Sequence, residues 1–129
     1  MGIEAISTGY ILMDGGAGST VEFISGTRPI PMNRVDIAVA HALAGQFLGM
    51  RLIYLEAGSG AIQPVSTSII KATSNAIDVP IIVGGGIRDP ETARSSVDAG
   101  ASVIVTGNII ENSPDYMREF ADAVHVRKS

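Results

Sequence analysis

Three consecutive glycines, Gly84 to Gly86, end a short apolar run in the sequence PIIVGGGIRDPETA. Glycine is costly to order, so its use here indicates that some group must approach the backbone more closely than a side chain would permit. Phosphate is the first candidate, because backbone N–H groups and helix N-termini bind anions without positive side chains. The alternative is that the glycines only make a tight turn between a strand and a helix.

Two more glycine clusters follow apolar runs. Gly58-Ser59-Gly60 comes after YLEA, and Gly107-Asn108 comes after VIVT. In barrel enzymes, phosphate is bound by loops at the C-terminal ends of the last strands, together with the N-terminus of a following helix. Three clusters in series therefore favour a phosphate-monoester site over three independent turns.

One strand carries polar residues where an apolar strand is expected. Tyr54 and Glu56, in RLIYLE, are two residues apart and therefore point to the same face. A carboxylate on an inward face is costly unless it has partners, so Glu56 is a candidate for accepting hydrogen bonds from substrate hydroxyls. The alternative is a structural salt bridge between Glu56 and Arg28 or Arg88.

Other residues give little sign of chemistry. His41, in AVAHALAG, has no second ligand nearby, so we interpret it as packed or solvated. Without cysteine or a histidine pair, a transition-metal site is not expected, whereas Mg²⁺ needs only carboxylate and phosphate oxygens and stays open. The net charge of −4 and the lack of a dense Lys/Arg patch argue against a nucleic-acid surface.

The apolar pattern predicts one α/β domain over residues 1–129, with 46% hydrophobic and 17% charged residues. Four short runs, rich in β-branched residues, are typical of strands buried on both faces. They are Ala5–Met13, Arg51–Glu56, Val79–Val83 and Ser102–Thr106. Helices are predicted over Arg34–Leu48, Pro64–Ala76, Pro90–Ala99 and Pro114–Val124. The order predicts four βα units, which is half of an eight-stranded TIM barrel.

Several predicted helices begin or end at residues that are typical of helix caps. Asp89-Pro90-Glu91 combines an N-cap, a first-turn proline and an acid, and Ser113-Pro114-Asp115 repeats that pattern. Gly49 and Gly100 are expected to end helices. The segment Asp14–Pro31 is irregular and long enough to predict a functional loop or lid, with a helix around Thr20–Ile24. No signal peptide or membrane-spanning run is recognised, so we expect a cytoplasmic protein.

The stretches YLEAGSGA, PIIVGGGIRDPETA and TGNIIE resemble the C-terminal half of geranylgeranylglyceryl phosphate synthases. These are prenyltransferases of archaeal ether-lipid synthesis and their bacterial relatives. The segments STGYILMDGGAGSTVEF, TRPIP and DIAVAHALAGQFLGMRLIYLE are similar too, so the resemblance covers nearly all of Met1–Glu111. It implies a TIM-like barrel whose last strands bind sn-glycerol 1-phosphate.

Carried over onto this sequence, the resemblance implies two groups of binding residues. Glu56 would contact the glycerol hydroxyls and accept the proton of the attacking oxygen. The glycerol side would be lined by Tyr54, Leu55, Glu56, Ala57, Gly58, Ser59 and Gly60. The phosphate would be held by backbone N–H groups of Gly85, Gly86, Gly107 and Asn108.

The implied reaction is attack of the glycerol C3 hydroxyl on geranylgeranyl diphosphate, with diphosphate released and Mg²⁺ as the electrophilic helper. The family's Mg²⁺-binding aspartate belongs to the first strands, and this sequence resembles strands five to eight, so we expect no metal ligand in it. A companion N-terminal half or self-assembly is expected to complete the barrel, since open strand edges demand a partner. The alternatives are another phosphate-binding barrel enzyme, and a half-barrel that binds phosphorylated ligands without turnover.

Overall fold

A computed structural model describes residues 2–125 of the chain, and its centre is a four-stranded parallel sheet. The strands lie in the order β1-β2-β3-β4, each beside its neighbour in sequence. Their bounds are β1 Thr8–Leu12, β2 Leu52–Glu56, β3 Ile81–Gly84 and β4 Val103–Val105. This arrangement confirms the prediction of four parallel βα units.

Helices follow each strand, and the four longest lie in a row that covers one face of the sheet. Their bounds are α1 Thr20–Ser25, α2 Val35–Phe47, α3 Thr67–Ala76, α4 Pro90–Ala99, α5 Asn108–Asn112 and α6 Tyr116–His125. Consecutive right-handed crossovers place the helices on the same side of a parallel sheet, as in a barrel wall. Contacts run from α2 to α3, from α3 to α4 and from α4 to α6.

The core lies between the helices and alternate strand residues. Ile53, Leu55 and Val83 are fully buried, and they pack with helix residues such as Ala42 and Ile70. Each fully buried aliphatic side chain of this size contributes about 1.5–3 kcal/mol to stability. The sheet's helix-covered face therefore holds the fold together.

The opposite face of the sheet, which would point into a closed barrel, is largely uncovered. Register pairs Tyr10 with Tyr54, and Ile82 with Val103, on that face. Tyr10 and Val103 are each 46% exposed, and Val105 is 42% exposed. The prediction that every strand is buried on both faces is therefore wrong for β1 and β4, because four strands cannot close around their own inner face.

Helix caps explain where α3 and α4 begin. The Ser66 hydroxyl accepts a hydrogen bond from the N–H of Ile69, so Pro64 to Ser66 precede the helix. Asp89 Oδ1 accepts from the N–H of Thr92 at 2.7 Å, and α4 matches the predicted Pro90–Ala99.

Other boundaries depart from the prediction. β1 begins at Thr8 instead of Ala5, and Met13 forms only an isolated bridge with Ile30. Residues 114 and 115 form a turn, so the last helix starts at Tyr116. The sequence pattern missed α5, because five residues beginning NIIE carry too little periodicity to indicate a helix.

Candidate functional site

The loops that follow β2, β3 and β4 meet at the carboxyl edge of the sheet and enclose a cavity of about 180 Å³. Parallel strands bring these loops together, since all their carboxyl ends lie at one edge. The cavity is lined by Tyr54, Glu56, Gly58, Ser59, Gly60, Gly85, Gly86, Ile87, Arg88, Val105, Thr106, Gly107, Asn108 and Ile109. Residues far apart in sequence thus form one site.

All but two of the predicted site residues line this cavity. The exceptions are Leu55, which is fully buried in the core, and Ala57, which is 2% exposed and follows the strand. Alternation along β2 explains Leu55, because its side chain points away from the face that carries Tyr54 and Glu56. The ligand-binding roles of the lining residues stay predictions.

The sequence reasoning missed several lining residues. These are Ile87, Arg88, Val105, Thr106 and Ile109. Each adjoins a glycine cluster or the end of a strand, so extending each cluster by two residues would have found most of them. For Arg88, the sequence indicates only the alternative of a salt bridge with Glu56.

Glu56 is buried at the inner end of the cavity, with 8% of its surface exposed. Its Oε1 accepts a hydrogen bond from the N–H of Gly58 at 2.9 Å, and its carboxylate also accepts one from the Tyr54 hydroxyl. Within residues 2–125 neither Arg28 nor Arg88 pairs with it, so the alternative of a structural salt bridge is wrong. A carboxylate has about four acceptor sites, which leaves capacity for a bound hydroxyl.

The two tyrosines beside Glu56 are harder to ionise than free tyrosine. Burial raises the pKa of Tyr54 well above its ordinary value of 10.0, and the hydrogen bond to Glu56 and the charge of that carboxylate raise it further. Burial, and then the charge of Glu56, raise the pKa of Tyr10. Their rings meet edge to face with centroids 5.1 Å apart, so Tyr10 supports the position of Tyr54.

The glycine triplet is packed against the protein's own groups. A Cβ on Gly84 would lie 2.7 Å from the Tyr54 hydroxyl oxygen. A Cβ on Gly85, whose φ is +84°, would lie 2.6 Å from Glu56 Oε1 and 2.8 Å from the backbone of Gly58. The groups whose close approach requires glycine at these two positions are therefore the Tyr54 and Glu56 side chains of β2 and the backbone of Gly58 in the loop that follows, and a ligand is not needed to explain them.

Backbone N–H groups nevertheless remain available at the cavity. In the part of the chain that the structure describes, the N–H groups of Gly85, Gly86 and Gly107 donate no hydrogen bond. The first N–H groups of a helix also lack an internal acceptor, which adds Asn108. Four main-chain donors on two loops suit an anion with several acceptor oxygens.

Among residues 2–125, no group of three or more His, Cys, Asp or Glu side chains could hold a metal ion. His41 is exposed, and its Nδ1 lies 2.9 Å from the carbonyl oxygen of Ile37, which agrees with the interpretation of a solvated histidine. Within the same described range, no helix has the length and apolar character required to cross a membrane.

A parallel βα sheet with its cavity at the carboxyl edge of the strands defines a protein of the TIM-barrel type. The chain belongs to the PcrB family, whose model matches residues 1–124. It is 52% identical over 124 residues to a geranylgeranylglyceryl phosphate synthase of Chitinophaga pinensis, covering 96% of this chain and 49% of the relative. The synthase of Methanothrix thermoacetophila is 51% identical over 129 residues, covering 97% of this chain and 50% of that relative.

A solved structure of a synthase with the same name is also similar to this chain. The (S)-3-O-geranylgeranylglyceryl phosphate synthase of Thermoplasma acidophilum, in complex with its substrate sn-glycerol-1-phosphate, superposes with a TM-score of 0.89 at 38% identity. The match covers 96% of this chain and 51% of that one. The resemblance inferred from the sequence is thus confirmed, and the chain spans about half the length of the relatives it matches.

Proposed function

We propose that this chain forms the glycerol phosphate-binding half of a cytoplasmic geranylgeranylglyceryl phosphate synthase. The reaction would join the C3 hydroxyl of sn-glycerol 1-phosphate to the geranylgeranyl group of geranylgeranyl diphosphate. The observation that carries the proposal is the pairing, across one cavity, of free backbone N–H donors with a buried carboxylate. Similarity to relatives that carry this activity supports it.

The phosphate would be bound by the N–H groups of Gly85, Gly86, Gly107 and Asn108. Backbone donors hold an anion without a cation at each oxygen, which suits a chain with a net charge of −4. The polar loop Gly58–Gly60 would face the glycerol carbons, on the side of the cavity where Glu56 lies.

Glu56 would orient the glycerol hydroxyls and act as the base. The C3 oxygen would form a bond to the allylic carbon while the bond from that carbon to diphosphate breaks, and the hydroxyl proton would pass to Glu56. Tyr54 and the N–H of Gly58 hold the carboxylate by hydrogen bonds, so the acceptor is oriented before substrate binds.

Mg²⁺ belongs in this proposal to a part of the barrel outside these residues, because residues 2–125 offer no cluster that fits it. Its chemistry would be stabilisation of the charge that develops on the departing diphosphate. The remaining strands would come from a companion half, which would also supply the metal ligands, or from a second copy, whose residues 2–125 would complete the sheet without them. Both would cover the inner face on which Tyr10, Val103 and Val105 are exposed.

That uncovered face favours a second candidate function for the chain on its own, namely binding of glycerol phosphate without turnover. Within residues 2–125, the half-barrel presents the cavity of Glu56 and the glycine loops, whereas Tyr10, Val103 and Val105 leave its inner face exposed. Another barrel enzyme that uses the same glycine loops for a different phosphate ester is a third candidate. Selective binding of sn-glycerol 1-phosphate over its enantiomer would distinguish the first two candidates from this third one.

The test is calorimetric titration of the purified chain with sn-glycerol 1-phosphate and, as the enantiomeric control, sn-glycerol 3-phosphate. We expect selective binding of the 1-phosphate, and a loss of about tenfold or more in affinity for Glu56→Ala, because the charge-assisted hydrogen bonds to the glycerol are removed. Glu91→Ala, an exposed carboxylate on α4, is the matched control and is expected to bind like wild type.

Equal binding of both enantiomers by the folded wild-type chain would contradict the proposal and favour another phosphate ester. Selective binding without product, when geranylgeranyl diphosphate and Mg²⁺ are added, would support the binding function over the complete reaction for this chain.

A further inference from the structure

Arg88 joins two loops that are distant in sequence. Its Nη2 donates to the carbonyl oxygen of Ala61 at 2.6 Å, and its Nη1 donates to the carbonyl oxygen of Ile62 at 3.2 Å. Arg88 itself follows the glycine triplet, so one side chain connects the loop after β3 to the loop after β2. Both loops line the cavity.

The loop after β2 is one that needs such support. Gly58 and Gly60 have φ of +98° and +71°, and Ser59 and Gly60 are exposed. Glycines in this region restrict the chain little, so the loop would sample many conformations without outside contacts. On its other flank, Ile62 donates its N–H to Gly15 at 2.8 Å, and Arg88 supplies the contacts on the cavity side.

The guanidinium bonds to neutral acceptors and not to a carboxylate. The arginine ion pairs in residues 2–125 are made by Arg34, Arg51 and Arg94. A planar guanidinium has five N–H donors in a fixed fork, which lets one side chain reach two consecutive carbonyls. A lysine ammonium has the same charge but is a single point that cannot match this geometry.

We propose that Arg88 is a positioning residue that ties the loop Gly58–Ile62 to the loop Gly84–Arg88, and so sets the preference of the site for glycerol phosphate over bare phosphate. The assignment of ligands rests on the proposed function, whereas the connection between the two loops rests on the hydrogen bonds of Arg88. Bare phosphate needs only the N–H donors of the second and third glycine clusters, whereas glycerol phosphate also needs the first loop at its correct distance.

The experiment compares wild type with Arg88→Met and Arg88→Lys. Arg28→Met is the matched control, since Arg28 is an exposed arginine that does not line the cavity. Titrations use sn-glycerol 1-phosphate and inorganic phosphate, and hydrogen exchange follows the amides of residues 58–62. Circular dichroism checks that each variant is folded.

We expect affinity for sn-glycerol 1-phosphate to fall about tenfold in Arg88→Met and by less in Arg88→Lys, in line with the loss of two charge-assisted hydrogen bonds. The ratio of the two ligand affinities is expected to fall in both variants. Exchange at residues 58–62 is expected to accelerate in both, with the rest of the chain unchanged.

Two results would overturn the assignment. If Arg88→Lys binds both ligands like wild type and its exchange is unchanged, Arg88 acts by charge alone. If Arg28→Met produces the same losses, the effect is not specific to the tie. If wild type binds neither ligand, the proposed function fails, and the exchange data alone decide whether Arg88 holds the loop.

Discussion

Gly85→Ala tests the close packing of the two glycine loops. The added Cβ would lie 2.6 Å from Glu56 Oε1 and 2.8 Å from both the N and O atoms of Gly58. An L-residue at φ +84° costs about 1–2 kcal/mol on backbone grounds. Overpacking against a buried carboxylate and backbone adds about 1–3 kcal/mol. The expected loss in the free energy of unfolding is therefore about 2–5 kcal/mol, a large share of the stability of a small domain.

Gly26→Ala is the matched control, because Gly26 has φ +63° but a Cβ there meets nothing within 4 Å. It carries only the backbone cost of about 1–2 kcal/mol. Urea unfolding, followed by far-ultraviolet circular dichroism, gives both values from the shift in midpoint at constant slope. The difference between the variants isolates the contact with Glu56 and Gly58. A Gly85→Ala variant no less stable than Gly26→Ala would refute the close approach of the loops.

Three further predictions concern other parts of the fold. Since burial, and then the hydrogen bond to Glu56, raise the pKa of Tyr54 above 10.0 in the folded chain, its contribution to stability is complete below pH 10 and is lost as pH rises above it. Ultraviolet titration should show tyrosine ionisation above the ordinary range, and Tyr54→Phe should remove part of that high-pH ionisation; a variant with the same high-pH ionisation as wild type would contradict the raised pKa of Tyr54. Asp89→Ala should cost about 1 kcal/mol in urea unfolding by removing the cap of α4, with exposed Asp115→Ala near zero as its control. Thr73→Val should stabilise the chain by about 1 kcal/mol, because the fully buried Thr73 hydroxyl has no hydrogen-bond partner among the described residues; a lower melting temperature would show that the hydroxyl has a partner.

Much of the fold followed from local pattern. The signal Asp-Pro-Glu placed α4 correctly, because a cap, a proline and an acid act within one helical turn. The two-residue spacing placed Tyr54 and Glu56 on one face, since side chains alternate along any strand. The predicted burial of both faces is wrong for Val103 and Val105, because their exposure depends on whether other strands cover the inner face.

The sequence by itself determined the four βα units, the position of Glu56 on the inner face, and the glycine clusters at the ends of the strands. Tertiary structure decided which groups meet. It placed Tyr10 against Tyr54, paired Glu56 with the N–H of Gly58, and directed Arg88 to the carbonyls of Ala61 and Ile62. The physical reason is that periodicity and capping act over a few residues, whereas the tyrosine pair and the Arg88 bonds join segments 26 or more residues apart and depend on how parallel strands lie side by side. The bond between Glu56 and Gly58 is local, but it depends on the backbone conformation of the loop, where Gly58 has φ +98°.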